Sequence, residues 1–465
     1  WRLRQAAPFK VAEAMALGPL CLAGEAESGG CLSLAREASG EARLSLDWPR
    51  LALTTFAFLV PETLGLEGAL GAKADLRIQD SRLFGDAWLA LEAGALRFDL
   101  ADRSQRLVLS GTRLDVQASG TALDLDLALP LKDLGNLDGQ VRISELDLSA
   151  PDQARLAGGL KLDLAGFALL EELVPDLDGL EGQVNTRLTL AGRLEAPSLS
   201  GDLMIDGLGL EVPLYGVRLD QGQIKAALDA NGGLTLDGQL GFADRQLQLR
   251  GTGSNILSAP SLNLAVQGEA LRVADSPEYL IVLSPDLKID YGPTGARVSG
   301  QVEIPQARIA PRGIPAGATQ PSADLVRADQ VQPTTEPEPL PLAIDVQTLL
   351  GEQVRIDAFG LVARVAGNLR VIKSENRPLL GEGTLEVFDG TYRIPLPGLD
   401  LVGSIGEPLT IQRGLVVYAS SPLDNPGLLL DAQRAGGDLT AGVRVLGTLK
   451  DPKLAFFSDS DPDMT

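Results

Sequence analysis

The chain is dominated by segments in which apolar and polar residues alternate one by one. In the clearest segment Leu123, Leu125, Leu127 and Leu129 alternate with acidic or small residues, and similar rows recur at 160–164, 184–190, 234–236, 247–249 and 262–266. Successive side chains of a β-strand point to opposite faces of its sheet, so each row predicts a strand with one apolar face. A helix would scatter these leucines around its circumference, so the alternation outweighs leucine's helix propensity. The pattern predicts an all-β protein.

Turn-forming residues follow several of these rows. Gly192, Gly238 and Gly251 each come at or near the end of a row, and glycine supplies the positive φ that tight turns require. The pattern therefore predicts many short strands joined by tight turns.

One unit of sequence occurs three times without a fixed period. It begins at Gly201, Gly300 and Gly383, where a glycine precedes a short alternating segment. A small residue then separates this segment from a second one, at Gly207, Ala307 and Gly390 respectively. The unit predicts a strand, a turn and a second strand, and its irregular spacing argues against a strict solenoid.

Few segments have a helical pattern. Residues 1–17 predict an N-terminal helix, and shorter helical turns are predicted at 169–173 and 276–283. Residues 312–341 contain six prolines, each without a backbone N–H donor. This density excludes a strand and predicts an exposed linker or a long surface loop.

Charge and composition exclude several classes of function. The net charge of −22 opposes binding to nucleic acid, and the absence of histidine removes most nucleophilic triads and catalytic zinc sites. The carboxylates mostly alternate with leucines, as at Asp124 and Asp126, which indicates a solvated strand face. No cofactor or metal motif is found, so a non-enzymatic protein is expected. The longest apolar run, residues 51–61, is shorter than the roughly 20 residues of a spanning helix.

Cys21 and Cys31 are the two cysteines, ten positions apart. A CxxC redox motif is absent. Their spacing alone leaves two possibilities open, a pair of free thiols or one local disulfide that would require an oxidising compartment.

Several segments of the second half carry a recognisable pattern. They include Gly390-Thr-Tyr392, and the others are residues 182–192, 196–201, 284–287, 298–305, 409–418, 425–426, 430–434, 443–447 and 452–454. Together they resemble the C-terminal domain of the TamB family, and the segment around the cysteine pair is also similar to that family. The stretch 395–398 is an addition relative to the family pattern.

The resemblance implies an elongated U-shaped β-sheet, a β-taco or open β-helix-like body, with an apolar concave groove and a few short helices. It also implies a disulfide between Cys21 and Cys31. The implied domains are an N-terminal helix and cysteine-pair segment (1–50), a β-taco body (51–311), the Pro-rich loop or linker (312–341) and a continuation of the β domain (342–465).

The first function implied is a periplasmic scaffold that moves phospholipids between the inner and outer membranes, with acyl chains as its partners. The alternative is an adaptor that works with a TamA-like outer-membrane barrel protein and receives unfolded outer-membrane protein strands. The implied location is the periplasm of a Gram-negative bacterium, with the inner-membrane tether and most of the TamA-docking segment outside this chain.

The groove is expected to be lined by alternate residues of separate strands. These residues are Val184, Leu188, Leu190, Leu203, Ile205, Leu234, Leu236, Val302, Ile304, Leu385 and Val387. The alternation by itself favours a closed sandwich or β-helix core, as in an inert stalk. The resemblance instead favours an open trough. Charged neighbours such as Asp202, Glu303 and Glu386 are expected on the opposite face.

Overall fold

The computed structural model describes most of residues 1–458, in two compact units. The first unit comprises residues 1–210 and 221–236, and the second comprises 211–220 and 237–465. The residues outside the description are 5–7, 12–13, 25–27, 56–63, 92–93, 101–102, 110, 168–177, 214, 257, 312–340, 359–360, 375–376, 394–407, 437–438 and 459–465.

The described residues form thirty β-strands. Strands of the first unit are β1 (Arg2–Leu3), β2 (Phe9–Val11), β3 (Met15–Ala23), β4 (Gly29–Arg36), β5 (Ala42–Ala52), β6 (Leu64–Glu67), β7 (Ala69–Gln79), β8 (Arg82–Leu91), β9 (Ala95–Leu100), β10 (Arg103–Val108), β11 (Thr112–Gly120), β12 (Leu123–Leu131), β13 (Gly135–Ser144), β14 (Arg155–Leu164) and β15 (Asp178–Arg193). Three strands contain residues of both units: β16 (Pro197–Val212), β17 (Val217–Leu228) and β18 (Leu234–Phe242).

The remaining strands belong to the second unit. They are β19 (Arg245–Ser254), β20 (Ser261–Gly268), β21 (Leu271–Asp275), β22 (Tyr279–Gly292), β23 (Gly295–Ile309), β24 (Leu342–Ala358), β25 (Leu361–Lys373), β26 (Leu380–Tyr392), β27 (Leu409–Pro422), β28 (Gly427–Gly436), β29 (Leu439–Thr448) and β30 (Asp451–Ser458).

The all-β prediction is confirmed, but the helices predicted at 1–17 and 276–283 are wrong. Helical structure in the described residues is limited to 3-10 turns at 53–55 and Pro151–Gln153. Residues 1–17 contain β1, β2 and the start of β3. Hydrogen bonds between these strands satisfy the backbone N–H and C=O groups that a helix would have bonded internally. Residues 276–283 begin as a bend and continue into β22, and 169–173 lie outside the described residues. Among the described residues, no helix has the length and apolarity needed to cross a membrane.

The first unit contains a long antiparallel ladder. Both β1 and β2 pair with β3, and the order continues β3, β4, β5, β7, β8, β11, β12, β13, β14 and β15. Strands β6, β9 and β10 form a separate three-stranded sheet. Neighbouring strands are mostly consecutive in the chain, which is the arrangement that short connections produce.

The second unit contains a second ladder with one change of strand direction. Strand β19 pairs with β20 and β20 with β22, and the order then runs from β23 to β30; β21 also pairs with β22. All these pairs are antiparallel except β23 with β24, which is parallel from Ala296 beside Leu342 to Ile309 beside Ile356. A parallel neighbour requires a crossover of about a dozen residues or more. The Pro-rich segment, which was predicted to be a loop or linker, lies in the connection between the paired strands β23 and β24. Residues 312–340 themselves are outside the described part of the chain.

The three recurring units are single long strands, so the predicted turn inside each unit is wrong. They form β16, β23 and β26, and Gly207, Ala307 and Gly390 lie within these strands. Near Gly390 the register with β25 shifts, which indicates a β-bulge. The bulge absorbs the extra residue without ending the strand.

Two predicted turns are also strand interiors. Gly238 lies within β18 and Gly251 within β19, and both residues are buried. Each glycine lies on the same side of its strand as the alternating leucines, and its lack of a side chain leaves room for the neighbouring side chains. The turn expected near Gly192 follows β15, whose last residue is Arg193.

Candidate functional site: the apolar face

One face of the first ladder is apolar from strand to strand. Cross-strand partners project to the same side of a sheet, so the registers define continuous rows. One such row consists of Leu46, Ala74, Ala87, Val116, Leu125, Val141, Gly158 and Leu190. The next row consists of Trp48, Ala72, Leu89, Leu114, Leu127, Gly139, Leu160 and Leu188. We call the side of the ladder that carries these rows the apolar face of the first unit.

The opposite side of the same ladder is charged. Arg142 donates two hydrogen bonds to Asp124 on the neighbouring strand, at 2.6 and 3.0 Å. These bonds hold the pKa of the Asp124 carboxyl below its ordinary value. Arg113 and Asp115 form a similar exposed pair at 2.6 Å. The carboxylates that alternate with leucines therefore form a solvated ionic surface.

Part of the apolar face remains open to solvent. Leu89, in the middle of the ladder, is 41% exposed, and Leu34 and Ile78 are 43% and 39% exposed. Side chains in a closed core would be almost fully covered, and large apolar patches on a protein surface commonly mark binding sites. The exposure makes this face available to an apolar ligand.

Three predicted groove residues lie together on this face. Val184, Leu188 and Leu190 of β15 are opposite Leu164, Leu160 and Gly158 of β14. Val184 is buried, whereas Leu188 and Leu190 are half-buried. Thr186, between them on the same side, is 8% exposed, and its Oγ1 has no hydrogen-bond partner among the described residues.

Four other predicted residues lie in the second unit. Ile304 of β23 pairs with Leu350, and the row continues through Gly367 to Leu385 and Val416. Val302 and Val387 occupy the same faces of their strands as Ile304 and Leu385, two residues away. Leu385 and Val387 belong to a buried cluster that includes Val365, at 4% exposed. In the second unit, the side of the ladder that carries these residues is therefore a packed core around Leu385 and Val387.

The last four predicted residues lie in β16 and β18. Leu203, Ile205, Leu234 and Leu236 are half-buried, and the neighbouring Asp202 and Asp237 are exposed. Asp202, Glu303 and Glu386, which were expected on the opposite face, are exposed. The structure thus brings together the three β15 residues and, separately, the four of the second unit. That all eleven residues form one groove remains a prediction.

Most of the apolar face was not among the predicted site residues. Its centre is formed by leucines of β8, β11, β12 and β14, including Leu89, Leu114 and Leu160. The alternation of the leucines in β12 and β14 was already visible in the sequence, at 123–129 and 160–164. What was missing was the register, which places these separate rows side by side.

Cys21 and Cys31 form a disulfide that joins two neighbouring strands. They are direct partners in the register of β3 and β4, and their Cα atoms are 4.1 Å apart. Leu20 and Leu32, the adjacent pair, project to the apolar face, so the disulfide is on the opposite side. It links the first strands of the ladder.

No group of three or more described Asp, Glu or Cys residues is placed to hold a metal ion. Among the described residues the apolar face is therefore the strongest candidate for function.

Comparison with known proteins agrees with this architecture. The family described as TamB C-terminal domain matches residues 221–465, and the TamB N-terminal domain matches residues 1–205. The translocation and assembly module subunit TamB of Haemophilus influenzae (strain ATCC 51907 / DSM 11121 / KW20 / Rd) is 25% identical over 375 residues. The similarity covers 77% of this chain and 28% of that relative, so the chain spans under a third of the relative's length.

Proposed function

Because the chain belongs to the TamB family, we propose that it is part of a scaffold that carries phospholipids between the inner and outer membranes. Acyl chains would lie along the apolar face of the first unit while the charged side of the ladder faces water. The observation that carries this proposal is the exposure of Leu89, at 41%, in the middle of a leucine-rich ladder.

The chemistry of the face suits acyl chains. Apart from Trp48, its two rows consist of leucine, valine, alanine and glycine, whose side chains offer contact area without hydrogen-bonding groups. Covering hydrocarbon stabilises by roughly 0.8 kcal/mol per methylene group removed from water. Such contacts do not depend on direction, so a chain can shift along the face without breaking specific bonds.

The periplasm is the location that we propose. The disulfide between Cys21 and Cys31 supports it, because such bonds persist in oxidising compartments and are rare in the cytosol. The charged side of the ladder is compatible with an aqueous space between two membranes.

Site-specific photocross-linking tests the lipid proposal directly. A photoreactive amino acid placed at Leu89, on the apolar face, is expected to yield phospholipid adducts in intact cells. The same reagent at Ala90, the next residue on the opposite face of β8, is the matched control. Equal adduct formation at the two positions, or none at Leu89, would contradict the proposal.

A second candidate function is assembly of outer-membrane proteins with a TamA-like partner. The observation that favours it is the name of the relative, which is a translocation and assembly module subunit. Unfolded outer-membrane protein strands would then be the ligands, and their apolar side chains would lie against the apolar face while strand addition at a sheet edge supplies backbone contacts. Protein rather than lipid adducts from Leu89 would support this alternative.

A further inference from the structure

Among the described residues with assigned partners in the first ladder, one charged residue lies on the apolar face. Arg36 is the last residue of β4, and its cross-strand partners are Met15 of β3 and Ala42 of β5. Leu34, two residues earlier, points to the apolar face, so Arg36 points to the same side. Arg36 itself is exposed.

The position of this arginine is exceptional within the ladder. From β1 to β15, every other described residue that is paired on the apolar face is uncharged. The remaining arginines of these paired strands, such as Arg43 and Arg77, project to the charged side. Because the other arginines of these strands lie on the charged side, an arginine among apolar neighbours indicates a specific role.

Arg36 borders an apolar cavity at this end of the ladder. The cavity encloses about 460 Å³, which is within the usual range of ligand sites, about 300–1,000 Å³. Its apolar lining includes Phe9, Met15, Leu34, Leu44, Leu76 and Ile78. Arg43 also borders the cavity, but its guanidinium is already paired with Glu41. Phe9 and Met15 are 64% and 47% exposed, so the cavity opens to solvent.

The charge of Arg36 is not used within the described structure. Arg36 has no ion-pair partner among the described residues, whereas Arg43 on the other side of the sheet is bonded to Glu41 at 2.9 Å. A guanidinium group remains charged at all physiological pH values and binds phosphate through paired N–H donors. Its aliphatic stem can at the same time lie along apolar side chains.

We propose that this cavity holds one end of a phospholipid, with acyl chain against its leucines and the phosphate on Arg36. This inference rests on the proposed lipid-carrying function and deepens it, because it assigns a headgroup-binding position to one end of the apolar face. Charge complementarity identifies the occupant. The site requires an anionic phosphate in the same molecule as acyl chains, and an uncharged lipid lacks that phosphate.

The test uses a photoreactive amino acid at Ile78, in the cavity, and measures capture of two radiolabelled lipids with identical chains. Phosphatidylglycerol carries the phosphate and diacylglycerol does not. Arg36→Met is expected to lower phosphatidylglycerol capture at Ile78 about tenfold, as the loss of a charge-assisted hydrogen bond predicts, with little effect on diacylglycerol. Arg36→Lys should retain much of the capture.

Two controls separate the possible failures. Arg77→Met removes an exposed arginine from the opposite side of β7 and should leave capture unchanged. A second reporter at Leu89 monitors the face as a whole. If the protein without the Arg36 substitution captures neither lipid at Ile78 or at Leu89, the lipid function itself is overturned. Normal capture at Leu89 with no effect of Arg36→Met at Ile78 overturns the headgroup site alone, as does equal capture of the two lipids at Ile78.

Discussion

Leu188 of β15 lies directly opposite Leu160 of β14, and both side chains belong to the apolar face of the first unit. Leu188 is only half-buried, so a carboxylate there can still reach water. We expect Leu188→Glu to block lipid transfer while destabilising the fold by about 1 kcal/mol, the typical cost of a point substitution. Lipid transfer between donor and acceptor vesicles and urea unfolding measure the two effects.

Two comparisons give this experiment its meaning. Thr189→Glu places the same charge on the opposite side of β15 and should leave transfer unchanged. Val365→Glu introduces a charge into the packed cluster of the second unit, where we expect a loss above about 4 kcal/mol. If Leu188→Glu unfolds the protein as Val365→Glu does, the face is a closed core. If it folds and transfers lipid normally, this face is not the path.

The disulfide should contribute measurably to the stability of the first unit. It closes a loop with a sequence separation of 10 residues, for which loop-closure entropy predicts about 2–3 kcal/mol. Replacing both Cys21 and Cys31 by serine should lower the free energy of unfolding by that amount. Mass spectrometry of unreduced peptides should show Cys21 and Cys31 linked, and two free thiols in protein recovered from the periplasm would contradict the bond.

Gly383 should not tolerate a side chain. Its φ is 140°, and a Cβ atom there would lie 2.2 Å from the carbonyl oxygen of Asn368 on the neighbouring strand. We expect Gly383→Ala to destabilise the second unit by about 1–3 kcal/mol, measured by urea unfolding. Gly427→Ala is the control, since the nearest atom to its Cβ would be 3.4 Å away. Equal effects of the two substitutions would contradict the proposed strain.

One ion pair should contribute to acid sensitivity. Arg370 donates hydrogen bonds of 2.7 and 2.8 Å to Asp345, and these lower the pKa of the Asp345 carboxyl. A lowered folded-state pKa stabilises the fold above the unfolded pKa, about 3.9, and this stabilisation is lost as pH falls through the folded-state pKa. Asp345→Asn should therefore reduce the loss of stability between pH 7 and pH 2.

The effect should be small, because both side chains are about half exposed. Urea midpoints at the two pH values measure it, with Asp202→Asn on an exposed strand position as the control. A midpoint difference between pH 7 and pH 2 that is the same in Asp345→Asn as in the unsubstituted protein would show that this pair is not involved.

The sequence by itself determined the class of secondary structure and the face that each residue occupies. Strict alternation, as at 123–129, assigns every second residue to the same side of a strand, and this assignment needs no partner strand. The exposed acidic positions beside Leu203 and Ile304 follow from the same rule. Strand boundaries did not follow from it, because a glycine within a strand and a glycine in a turn look alike in sequence.

Tertiary structure alone decided which rows lie side by side and how much of each row is covered. Leu89 and Val365 occupy similar alternating patterns, yet the first is 41% exposed and the second 4%. Local sequence cannot make this distinction, because solvent exposure depends on atoms contributed by strands far apart in the chain. The same holds for Arg36, which an isolated strand would leave as an ordinary terminal charge. Its position among apolar neighbours arises because pairing places β3 and β5 on either side of it.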